Sequence, residues 1–214
     1  MRADLLYRFC RFVVVGFCRM FWRLSVEGLE HVPAGAFILA PVHRSNIDTP
    51  LVGIVTRRRL RYMGKDSMWK YKPVGWFFDV LGSFPVRRGT VDREALQRCL
   101  EILEAGEVLV LFPEGTRQSG PVVQSLWEGA AYLALRAGVP IVPVGIGGSE
   151  RAMPKGARFV RPVKVHIVIG PPIAVGADAP AGRRVSLSAR RELTDRLRST
   201  IQELFDRAQV RAGA

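Results

Sequence analysis

The stretch AFILAPVHRSNIDTP, residues 36–50, decides how this chain is read. It opens with an apolar run of strand length, Ala36–Ala40, and then crowds a histidine, a serine, an asparagine and an aspartate into positions 43–48. So much polar chemistry directly after a strand marks a loop that carries function, since loops held by a rigid scaffold are where binding and catalytic groups concentrate. Pro50 then opens a helix pattern to Val55, with Thr49 placed to cap it and Pro50 at its first position.

Working outward, similar apolar runs recur at LRYMG (60–64), GSFPV (82–86), VLVLF (108–112), IVPVGI (141–146) and VKVHIVIG (163–170), each bounded by Gly, Pro or charges. Helical patterns lie between several of them. Asp92–Ala105 carries Leu96, Leu100 and Leu103 on one face and meets Gly106; Leu126–Ala137 meets Gly138; Leu187–Ala208 keeps Leu193, Leu197, Ile201 and Leu204 in register. Strands alternating with helices predict an α/β fold, a mixed and mainly parallel sheet flanked by helices. GADAPAGRRVS, from residue 176, reads as a loose loop.

The chain has 214 residues, 48% of them hydrophobic, which fits one domain with an appendage. Lys and Arg number 32 against 19 Asp and Glu, so the net charge of +13 favours polyanionic partners. Three cysteines, Cys10, Cys18 and Cys99, show no CxxC spacing; they speak against a disulfide framework or zinc site and fit a reducing, cytosolic setting. The apolar run Leu5–Trp22 contains Arg8, Arg11 and Arg19, which makes it a poor membrane span. On a helical wheel Arg8, Arg11, Arg19 and Arg23 share an arc of roughly 120°, largely apart from Phe9, Phe12, Val13, Phe17, Met20 and Phe21. That is the pattern of an amphipathic membrane-interface helix. A helix simply packed on the domain is the alternative, and residues 1–24 are expected to form the appendage to a domain at 25–214.

His43 and Asp48 fall about 140° apart on a regular helix and cannot pair if both are helical. With His43 in the loop and Asp48 at the start of the next helix, the loop can fold back so that carboxylate and imidazole meet. Such a pair fixes the tautomer and supports a general base. Ser45 and Asn46 suit turn and capping roles. In LVLFPEGTR, Gly115 permits a tight turn, Arg117 offers a planar fork for phosphate, and Thr116 adds hydrogen bonds. Glu114 beside a phosphate is repulsive unless it orients an arginine or accepts from a substrate hydroxyl. GSFPVRRG places Arg87 and Arg88 at a strand end, where at most one enters a site, and Lys65 follows another strand.

HRSNID, an arginine in GSFPVRRG, FPEGTR and IVPVGI, in that order across residues 36–148, resemble the sequence blocks of 1-acyl-glycerol-3-phosphate acyltransferases. The resemblance implies His43 as base with Asp48 as its partner, and Lys65, Arg88, Glu114, Gly115 and Arg117 around the acceptor or the reaction centre, with Thr116 beside them as a further substrate-binding candidate. It also implies acyl transfer from an acyl-CoA or acyl carrier protein thioester to the 2-hydroxyl of a lysophosphatidic acid, at the cytoplasmic face of a membrane, with no metal or cofactor. Glycerol 3-phosphate, another lysophospholipid or a glycolipid are alternative acceptors. SLWEGA departs from the family, whose members often carry a cation before this Gly where the chain has Trp127 and Glu128. Nucleic acid is not an expected partner: basic residues are dispersed, and no helix-turn-helix, zinc-finger or RNP signature occurs.

Overall fold

The computed structural model describes residues 2–87, 92–175 and 185–213. Arg88 and most of GADAPAGRRVS, residues 176–184, lie outside the described residues. The strands are β1 (Ser25–Glu27), β2 (Phe37–Pro41), β3 (Leu60–Lys65), β4 (Ser83–Val86), β5 (Val108–Val110), β6 (Ile141–Gly147) and β7 (His166–Ile169). The helices are α1 (Arg2–Phe21), α2 (Asp48–Leu51), α3 (Lys72–Val80), α4 (Arg93–Glu104), α5 (Gly129–Ala137), α6 (Ser149–Ala152) and α7 (Leu187–Ala212). The strands form one seven-stranded sheet in the order β1-β7-β6-β2-β5-β3-β4. Every neighbouring pair is parallel except β6 with β7. The fold is therefore α/β with a mixed, mainly parallel sheet.

Unbroken apolar sequence suits the middle of such a sheet, where both faces are covered. Every residue of β2, β5 and β6 is buried. α7 packs along β6 and β7, α5 against β2, and α4 against β5. α4 starts where the sequence places it, because the Asp92 carboxylate accepts the Ala95 N–H at 3.0 Å as an N-cap.

The helix after HRSNID differs from expectation. It begins at Asp48 with Ile47 as cap residue, runs to Leu51 and continues as a 3₁₀ turn over Val52–Ile54. Thr49 is not its cap. The Asp48 N–H already bonds the Ser45 carbonyl, so the turn is closed two residues earlier, and Pro50 sits in a first turn whose N–H groups need no helical partner. β1 and α3 went unanticipated.

α1 is both packed and bare. Tyr7 and Cys18 are buried, and so is Trp22 just after the helix; the Trp22 Nε1–H donates to the Arg161 carbonyl at 3.0 Å. Arg11 lies on this packed stripe and donates to the carbonyls of Gly53 and Thr56, which removes it from the expected headgroup arc. The far side exposes Leu5, Phe9, Phe12, Val13 and Met20, with Arg8 and Arg19 also exposed. Among the described residues no helix is long and apolar enough to cross a membrane.

Candidate active site

Because β2, β5, β3 and β4 are parallel neighbours, their carboxyl ends share one edge of the sheet. Ligands of open α/β sheets bind outside this edge. His43 follows β2, Glu114–Arg117 follow β5, Lys65 ends β3 and Arg87 follows β4. Segments remote in sequence thus meet at one rim.

The loop after β2 does fold back. His43 Nδ1 lies 3.0 Å from Asp48 Oδ2, with the carboxylate fully buried and the imidazole 14% exposed. The same Oδ2 accepts the backbone N–H groups of Arg44 at 2.7 Å and Ser45 at 2.6 Å, so one oxygen gathers the loop around itself. Facing a carboxylate, Nδ1 carries the ring proton and Nε2 keeps its lone pair. Nε2 makes no hydrogen bond among the described residues. The ring is stacked on Phe112, centroids 4.0 Å apart, which holds its plane. Ser45 is a turn residue: its hydroxyl donates to the Met153 carbonyl at 2.8 Å.

Glu114 takes the first of the roles open to it in the sequence: it orients an arginine. Its carboxylate receives Arg44 Nη1 at 2.9 and 2.7 Å, the His43 N–H at 3.1 Å and the Gln124 N–H at 3.1 Å. Both side chains of the Arg44–Glu114 pair are wholly buried. Nη1 also donates to the His43 carbonyl, Nε to that of Gly120 and Nη2 to that of Val122, and the guanidinium lies over the Phe205 ring. Glu114 is therefore part of the wall behind His43 and has no open face for a substrate hydroxyl. Arg44 was not singled out in the sequence, although the need of Glu114 for a cation was the signal that could have found it.

Gly115 turns with φ +72°, a conformation glycine adopts without strain, and a Cβ there would meet the Trp127 indole at 2.7 Å. Thr116 is exposed and accepts from the Gln118 amide at 3.0 Å. Arg117 is half-buried and Lys65 exposed; neither side chain has a hydrogen bond or ion pair among the described residues. Arg87 is engaged elsewhere, its N–H on Asp92 and its guanidinium 3.5 Å from Glu94. The position of Trp127 and Glu128 is also explained: the indole covers the Gly115 turn, while the Glu128 carboxylate lies 3.6 and 3.8 Å from Arg190 and Arg191 of α7.

A buried carboxylate behind a histidine is an arrangement that can take a proton from a hydroxyl, and the same sheet edge carries Lys65 and Arg117, cations that can meet an anion. Residues 23–147, more than half of the chain, match the family model described as Acyltransferase, and the chain belongs to that family. The 1-acyl-sn-glycerol-3-phosphate acyltransferase of Bacillus subtilis (strain 168) is 26% identical over 201 residues, 93% of this chain and 96% of that protein. A chloroplastic 1-acyl-sn-glycerol-3-phosphate acyltransferase of Arabidopsis thaliana is 28% identical over 160 residues, 72% of this chain. The chain spans 44% of that plant protein's length. Among solved structures, the 1-acyl-sn-glycerophosphate acyltransferase PlsC from Thermotoga maritima matches with a TM-score of 0.69 at 26% identity, covering 94% of this chain and 86% of that one.

Proposed function

We propose that this chain transfers a fatty acyl group from a thioester to the 2-hydroxyl of 1-acyl-sn-glycerol 3-phosphate, forming phosphatidic acid. The observation that carries the reading is the His43–Asp48 pair at the carboxyl edge, 3.0 Å long, with Nε2 uncommitted among the described residues. The names of the Bacillus, Arabidopsis and Thermotoga relatives support the acceptor.

His43 Nε2 takes the hydroxyl proton as the acceptor oxygen bonds to the thioester carbonyl carbon. Asp48 stabilises the imidazolium that results. The tetrahedral intermediate then breaks its C–S bond, and the departing thiolate takes the proton back from Nε2, so His43 ends as it began. Arg117, with Lys65 and Arg88, holds the acceptor phosphate, and the Gly115–Thr116 turn brings polar groups to the reaction centre. Glu114 acts through Arg44 and the His43 amide as a positioning residue. The donor is a coenzyme A thioester or an acyl carrier protein, and the chemistry asks for no metal.

Acceptor and product both reside in a bilayer, so the catalytic domain, residues 25–214, works at its surface. α1 supplies insertion through Phe9, Phe12 and Met20 with Arg8 and Arg19 among the headgroups, a monotopic or peripheral association at the cytoplasmic face. The test is an assay of purified protein with lysophosphatidic acid and glycerol 3-phosphate, each with both donor types, products identified by mass. Phosphatidic acid from lysophosphatidic acid is expected. Acylation of glycerol 3-phosphate alone would replace the proposed acceptor.

A further inference from the structure

The helices divide by what they show to solvent. α4 exposes Arg93, Glu94, Arg98 and Glu101, as a surface helix of a soluble domain should. α3 does the opposite: Pro73, Val74, Trp76 and Phe77 are all exposed, and on a helical wheel they fall in one arc of about 160°. The turn before it adds Met68, 41% exposed, and Tyr71, 72% exposed. A contiguous apolar patch of this kind on a surface marks a contact.

Two tryptophans of this segment show that the exposure is selective. Trp69 is turned inward; its ring lies where a Cβ on Gly64 or Gly75 would come within 2.7 or 2.8 Å, and its Nε1–H donates to Asp79 at 2.9 Å. Trp76 is 59% exposed and its indole N–H has no partner among the described residues. An amphipathic ring left bare with its N–H unspent suits the boundary between headgroups and acyl chains. The charges agree. Lys70 and Lys72 are exposed beside the arc, with no ion pair among the described residues, whereas Asp66 is turned to the Ser67 N–H and Asp79 to Trp69. α3 also packs beside α1, whose exposed face carries Phe9, Phe12 and Met20.

We infer that α3 and the turn before it form a second bilayer contact, with Met68, Tyr71, Val74, Trp76 and Phe77 entering an anionic bilayer while Lys70 and Lys72 stay among its phosphates. This rests on the lipid-acceptor reading above and adds orientation to it. One helix tethers a domain, but two neighbouring ones fix which edge faces the lipid. α3 follows the Lys65 end of β3, so the edge turned toward the bilayer is the one bearing His43.

The experiment uses the full chain and vesicles of phosphatidylcholine and phosphatidylglycerol, with and without brominated acyl chains. Brominated lipid should quench wild-type tryptophan fluorescence, and Trp76→Phe, which keeps an aromatic ring, should lose most of that quenching. The double variant Trp76→Ser/Phe77→Ser should bind these vesicles about tenfold more weakly or worse, given the apolar area withdrawn. It should still acylate a short-chain, water-soluble acceptor at the wild-type rate, which shows that it is folded. Unchanged quenching in Trp76→Phe, or undiminished binding of the double variant, would overturn the second contact. So would a dimer in vesicle-free solution that the double variant dissociates, because the patch would then belong to a second copy. If binding and quenching behave as expected but no lysophosphatidic acid is acylated, the acceptor reading fails and this surface stands.

Discussion

Hydrogen bonds tie His43 to Asp48 and Glu114 and tie Arg44 to the same two residues, whereas the side chains of Lys65 and Arg117 have no hydrogen bond or ion pair among the described residues. The tied half is largely buried and cross-linked between the loops after β2 and β5; in the untied half Arg117 is half-buried after β5 and Lys65 is exposed at the end of β3. The difference separates two tasks. On the proposed function, groups that act on a proton are held in one geometry before substrate arrives, while groups that grip a phosphate wait for it as their partner. Substitutions in the tied half should therefore lower turnover or stability, and those in the untied half should raise KM.

The strongest way to break this contrast is His43→Ala. Loss of a general base typically costs roughly 10²- to 10⁴-fold, so nearly all turnover should vanish while circular dichroism stays that of the wild type. Asp48→Asn should follow with a smaller but still severe loss, because the charge that supports the imidazolium is gone. If either folded variant keeps more than about a tenth of the wild-type rate, His43 is not the base.

Second in size is Glu114→Ala, which leaves the buried Arg44 guanidinium without its carboxylate. Removing one partner of a buried pair typically costs about 3–5 kcal/mol, enough in a chain of this size to lower Tm by on the order of 10 °C. Turnover should fall as well, since the His43 N–H loses its acceptor. A Tm within about 2 °C of the wild type would mean that the pair does not hold the two loops together.

What the sequence could show follows the same division. The His43–Asp48 pair was legible because its members are 5 positions apart, His43 in the loop and Asp48 at the start of the next helix, a placement that lets the chain fold back. Arg44 was not, because an arginine after a strand reads as surface; its burial depends on Glu114, 70 positions away, and on the carbonyls of Gly120 and Val122. The central strands announced themselves by unbroken apolar runs, while β1, half-buried at the sheet edge with Glu27 in it, did not. α3 was hidden by Gly75 and by aromatics on nearly every side, a composition without helical period that makes sense once one face is packed and another is bare. Arg11 looked like its neighbours Arg8 and Arg19 on the wheel; only the carbonyls of Gly53 and Thr56 draw it inward.

The smallest expected effect sharpens the comparison from the untied side. Arg117→Lys keeps the charge but gives up the planar fork, so acceptor KM should rise, by about tenfold if one of two phosphate contacts is lost, with kcat nearly unchanged. Tm should not move, because the Arg117 side chain makes no hydrogen bond or ion pair among the described residues. Arg87→Ala is the control: its guanidinium is already turned to Glu94, 3.5 Å away and exposed, so kinetics and stability should both stay at wild-type values. The pair of measurements discriminates sharply. A fall in kcat for Arg117→Lys with KM unmoved would put its guanidinium on the developing oxyanion, a contact made in the transition state, and would join it to the half of the site that acts on the proton. A silent Arg117→Lys beside a crippled Arg87→Ala would move the phosphate grip to the end of β4 and leave the turn after β5 with a purely architectural role.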